Sequence, residues 1–132
     1  MWTNDLTNKE NRMDYYTFTG RKLFTQLIRA VTLSNLQLVK HLLEKGYNPD
    51  ETNDFGMSPL MYASGQGNIE IVRLLLKNGV NINLKDIYGY TALQHALEEN
   101  QEAVIHYLME KGAHYKHPFT KNSSLFPAAF IK

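Results

Sequence analysis

The chain has 132 residues, 43% of them hydrophobic, with 14 Lys and Arg against 13 Asp and Glu and a net charge of +1, which is the size and balance of one folded domain. So even a charge offers no concentrated basic face for nucleic acid, and the absence of cysteine removes disulfides and thiol catalysis. No apolar run approaches the roughly 20 residues of a membrane span, and residues 1–20 lack the apolar centre of a secretion signal, so a soluble cytoplasmic protein without a membrane partner is expected.

The first twenty residues hold Trp2, Leu6, Tyr15, Tyr16 and Phe18 among polar neighbours and follow no period. They read as an N-terminal extension or a cap laid over the first structural unit. From Arg21 onward the chain repeats. Leu42-Leu43-Glu44-Lys45-Gly46 returns as Leu75-Leu76-Lys77-Asn78-Gly79 and again as Leu108-Met109-Glu110-Lys111-Gly112, 33 residues apart each time. Thr25, Ser58 and Thr91 keep the same phase, as do Leu27, Leu60 and Leu93, Ala30, Ala63 and Ala96, and Val39, Val72 and Ile105.

Inside each unit the apolar positions recur at helical spacing in two stretches, separated by Ser34-Asn35, Gly67-Asn68 and Asn100-Gln101. The unit is therefore predicted to be helix, tight turn, helix, loop. Ser58 and Thr91 are placed to cap the first helix of their units, with Pro59 at a first-turn position that needs no donor and Gln94 completing a capping box with Thr91. Gly46, Gly79 and Gly112 are predicted to end the second helices in a left-handed conformation. A last, incomplete unit has Asn122 in the phase of the turn glycine, followed by Ser124, Phe126 and Ala129.

These residues resemble the ankyrin repeat. The likeness is carried by Asn53-Asp54-Phe55-Gly56-Met57-Ser58-Pro59-Leu60-Met61-Tyr62-Ala63, by Gly67-Asn68-Ile69-Glu70-Ile71-Val72, and by Asp86-Ile87-Tyr88-Gly89-Tyr90-Thr91-Ala92-Leu93 with Ala96. The first unit is looser, with Leu23 where the others have their turn glycine. The fold implied is an all-α ankyrin-repeat solenoid of about three full repeats, at 21–52, 53–85 and 86–118, plus a partial C-terminal repeat at 119–132.

Such arrays commonly bind proteins on a concave side made of turn tips and first helices. The resemblance then implies a non-catalytic interaction module, an adaptor or inhibitor, without cofactor, metal or nucleic acid. Carried over by position, the partner-binding residues are Arg21 and Lys22 in the first unit, Asp54, Phe55, Met57 and Gln66 in the second, and Ile87, Tyr88, Tyr90, Glu98 and Glu99 in the third. Large aromatic side chains on turn tips have no core to enter, and hot spots are rich in them. Charge along this face is expected to run from Arg21, Lys22 and Arg29 at one end to Asp86, Glu98 and Glu99 at the other.

Other chemistry finds little footing. Gly65-Gln66-Gly67 lacks the strand and third glycine of a phosphate loop and falls at the predicted helix turn. His114 and His117 have a spacing a metal can use but no well-placed third ligand, and the adjacent Glu98-Glu99 do not share a helix face as an acid/base pair would. Asn83 falls where the family can carry a hydroxylated asparagine, although Asn81 replaces the supporting acid. Two alternatives remain at this point. The chain is a fragment or protomer that assembles through Phe126, Phe130 and Ile131 at its C-terminal helix, or a regulatory domain of an enzyme complex, and if it is a secreted effector its place is a host cytoplasm.

Overall fold

The computed structural model describes residues 24–115, which form six helices and no strand. The N-terminal extension, the first turn tip at Arg21 and Lys22, His117, and the partial repeat with Phe126, Phe130 and Ile131 lie outside the described residues. The helices run in pairs: α1 (Gln26–Thr32) with α2 (Leu36–Glu44), α3 (Pro59–Gln66) with α4 (Ile69–Lys77), and α5 (Ala92–Glu98) with α6 (Glu102–Glu110). The predicted helix, turn, helix, loop unit is present three times. Among the described residues no helix is long and apolar enough to cross a membrane.

Each pair begins with a side-chain cap. Thr25 Oγ1 accepts from Ile28 N at 3.1 Å, Ser58 Oγ from Met61 N at 3.3 Å and Thr91 Oγ1 from Gln94 N at 3.3 Å. Gln94 Oε1 accepts in return from Thr91 N at 2.8 Å, so the expected capping box is formed, and Pro59 sits in the first turn of α3 as expected. The turns between paired helices fall on residues one period apart: Ser34, Gly67 and Asn100 all have left-handed backbones, with φ of 54°, 77° and 55°. A left-handed residue reverses the chain within two positions, and asparagine and glycine are the types that bear it most easily. Gly46, Gly79 and Gly112 end the outer helices at φ of 92°, 82° and 97°, again as predicted.

Helices α1, α3 and α5 pack side by side as an inner row, with α2, α4 and α6 laid against them as an outer row. The small side chains of Ala30, Ala63 and Ala96, all fully buried, let the inner helices approach one another. Outer helices are one-sided. In α4, Ile71, Val72 and Leu75 are buried while Glu70, Arg73 and Lys77 are exposed, and α6 buries Val104, Ile105 and Leu108 in the same way. Each such leucine or isoleucine contributes about 1.5–3 kcal/mol by leaving water, in a core that runs unbroken through the three units.

Side chains also tie neighbouring units across the stack. Gln66 Nε2 donates to Thr32 O at 3.1 Å and Gln101 Nε2 to Gly65 O at 2.9 Å, each closing the carbonyl end of the preceding inner helix. On the loop side, Asn81 N donates to the Asp50 carboxylate at 3.0 and 3.1 Å, and His114 N donates to Asn83 Oδ1 at 3.1 Å. Asn83 is thus an acceptor within the stack. On the outer row two cations lie over the Tyr107 ring, Arg73 Cζ at 4.8 Å and Lys111 Nζ at 5.5 Å from its centroid.

Candidate functional site

The turn tip of the third unit is built by one carboxylate. Asp86 stands at the first position of a turn closed by Gly89 N donating to Asp86 O at 2.9 Å, and Asp86 N donates to Tyr90 O at 2.9 Å across its base. Asp86 Oδ1 accepts from Tyr88 N at 2.9 Å and Tyr90 N at 3.0 Å, and Oδ2 lies 3.0 Å from His95 Nε2. Its side chain is only 2% exposed. This corrects the expectation from the sequence that Asp86 adds to a charged docking face: the carboxylate is buried and occupied by the turn it organises.

The second unit solves the same problem with different residues. Asn53, one period before Asp86, accepts from Phe55 N at 2.9 Å and Met57 N at 3.0 Å through Oδ1, while its Nδ2 donates to Tyr62 Oη at 3.0 Å. Tyr62 is one period before His95, so Asn53–Tyr62 and Asp86–His95 are equivalent pairs. Burial raises the Tyr62 hydroxyl above the ordinary tyrosine range, against the smaller lowering effect of the hydrogen bond from Asn53. The two tips are joined by a main-chain bond from Ile87 N to Phe55 O at 3.0 Å. Gly56 makes that approach possible, because a Cβ there would stand 3.0 Å from Ile87 N and 3.2 Å from Asp86 Cα.

The expected partner-binding residues separate into two groups. Ile87, Tyr88 and Tyr90 are exposed, at 56%, 71% and 37%, with the Tyr90 ring edge-on to His95 at 5.9 Å. Asp54, Gln66, Glu98 and Glu99 are exposed as well. Phe55 and Met57 are half-buried, and Met57 packs against the core, so the second tip presents less apolar surface than its composition suggests. Gln66, although exposed, has its amide held by the Thr32 carbonyl, which makes it a strut between units as much as a contact residue. Arg21 and Lys22 lie outside the described residues.

Sequence reasoning missed Leu33, which is 59% exposed. The signal was available, since Leu33 occupies the phase of Gln66 and Glu99. Tyr62 was missed too. It continues the row of Arg29 and His95 along the inner helices, and its ring meets that of Phe24 at 6.3 Å.

Gly65, Gln66 and Gly67 form the end of α3 and its left-handed cap, as the helix-turn reading expects. No group of three or more His, Asp or Glu able to hold a metal occurs among the described residues. No curated protein matches the chain. The family model for ankyrin repeats, in three copies, matches residues 27–118. With three helix pairs in a 33-residue phase and a match over more than half its length, the chain belongs to the ankyrin-repeat family, whose arrays are generally protein–protein interaction modules and typically non-catalytic.

Proposed function

We propose that this chain is a non-catalytic adaptor or inhibitor that holds one protein partner against the face made by its turn tips and inner helices. The observation that carries the reading is the exposure of Ile87, Tyr88 and Tyr90 on a tip whose backbone is already pinned by Asp86. Apolar side chains held out into water on a rigid support lose little conformational freedom when a partner covers them, so most of their burial free energy is available for binding. Exposed tyrosines on one turn are also what a hot spot is commonly made of.

The test is affinity capture from lysate of the source cell with the wild type and a Tyr88→Ala/Tyr90→Ala variant in parallel, followed by an affinity measurement on the protein captured. The variant is expected to lose more than about 2 kcal/mol of binding free energy while its helical circular dichroism is unchanged. A folded variant that captures the same partner with the same affinity would place the partner elsewhere on the molecule.

A further inference from the structure

The third unit's face combines apolar exposure with one sign of charge. Beside Ile87, Tyr88 and Tyr90, the exposed ionisable side chains at the docking positions of the second and third units are Asp54, Glu98 and Glu99. All are acidic, and among the described residues no cation occupies any of these positions. Among the described residues neither Glu98 nor Glu99 has an ion-pair partner.

These two glutamates are not needed by the turn they occupy. The matching positions are Thr32 and Leu33 at the end of α1 and Gly65 and Gln66 at the end of α3, and the chain reverses equally well through Ser34 and Gly67 as through Asn100. They also stand at the carbonyl end of α5, where the helix already presents partial negative charge and where cations, not anions, are favoured. Local physics opposes them, and among the described residues no ion-pair partner offsets them. A cationic group from outside would relieve the glutamates and the helix end together.

Helix geometry sets the spacing. From Ala92 to Glu98 α5 rises about 9 Å at 1.5 Å per residue, and Tyr90 lies two residues before its start, so an extended chain spans the patch in about 3 or 4 residues. We propose that the third unit receives a basic protein segment, with an apolar side chain seated on Ile87, Tyr88 and Tyr90 and an arginine or lysine about 3 or 4 residues along it drawn to the charge of Glu98 and Glu99. This rests on the docking face of the preceding section. Arginine suits it better than lysine, because its planar fork engages carboxylates and also stacks on tyrosine faces.

The test is a display selection of random dodecapeptides on the full chain, with the winning peptides synthesised and titrated by fluorescence anisotropy against the wild type, Glu98→Lys/Glu99→Lys and Tyr88→Ala/Tyr90→Ala. Selected peptides are expected to be net basic with the stated spacing, to bind more weakly as salt rises, and to lose at least about tenfold in affinity on both variants. Neutral or acidic winners, or no winners, overturn the proposal. Affinity lost with the tyrosines but held within about twofold on the lysine variant overturns the charge assignment and leaves the face standing, whereas affinity held on both variants overturns the face as well. Circular dichroism on each variant confirms that the fold is retained.

Discussion

Removing the Asp86 carboxylate tests whether the tip is shaped in advance or merely tolerated. In Asp86→Ala, the Tyr88 and Tyr90 amides lose their acceptor and His95 loses its partner, in a place where the carboxylate was nearly dry. An unsatisfied amide costs about 1–3 kcal/mol, and water reaching the exposed Tyr88 lowers its share, so the loss should be about 2–4 kcal/mol of a total stability of about 5–15 kcal/mol. Asp86→Asn keeps the Oδ1 acceptor and should lose about 1 kcal/mol, the difference between a charged and a neutral hydrogen bond. The double variant Asp86→Asn/His95→Tyr rebuilds the pair that the chain already uses at Asn53 and Tyr62, and its loss should be about 0.5–1.5 kcal/mol smaller than the sum of the two single losses. Urea unfolding followed by far-ultraviolet circular dichroism reads the wild type and all four variants, with His95→Tyr as the second single. An Asp86→Ala protein within about 0.5 kcal/mol of wild type would refute the claim that this carboxylate holds the tip.

Two further perturbations separate causes that the sequence alone merges. Gly56 and Gly89 occupy the same turn position at φ of 71° and 82°, but a Cβ at Gly56 would meet the main chain of Ile87 and Asp86, while no described atom lies within 4 Å of one at Gly89. Gly56→Ala is therefore expected to cost about 2–4 kcal/mol and Gly89→Ala only the left-handed penalty of about 1–2 kcal/mol, and equal losses in thermal unfolding would show that the contact between tips carries no energy. The raised titration of Tyr62 gives stability that is fully present below about pH 10 and is lost as pH rises beyond it, because the unfolded chain ionises this hydroxyl first. Tyr62→Phe should flatten that alkaline decline in a pH series of urea midpoints, and an unchanged decline would mean that other groups cause it.

Legibility followed the repeat. Copies 33 residues apart gave three independent readings of each position, which is why the caps at Ser58 and Thr91, the left-handed glycines and the helix turns could all be placed from residues alone. The site was only half legible, because exposure at a tip depends on what the next tip covers. Phe55 and Tyr88 are one period apart, yet Tyr88 stands out in solvent and Phe55 is half-buried beside the tip that bonds to its carbonyl. Asp86 was misread for a related reason: a carboxylate beside three exposed apolar residues looks like part of a surface until its oxygens are found on the amides of Tyr88 and Tyr90. Leu33 shares its phase with the polar Gln66 and Glu99, which marks the position as exposed whatever residue fills it.

The hydrogen bonds described between units each reach about one period. Thr32 to Gln66, Gly65 to Gln101, Asp50 to Asn81, Asn83 to His114 and Phe55 to Ile87 each join neighbours. Tension applied to the two ends of the stack would therefore meet these seams in series, and the weakest seam alone would set the force at which the molecule begins to give. Each unit that then lets go would pay out about 110 Å of chain, a long slack that would absorb extension while its neighbours stay folded.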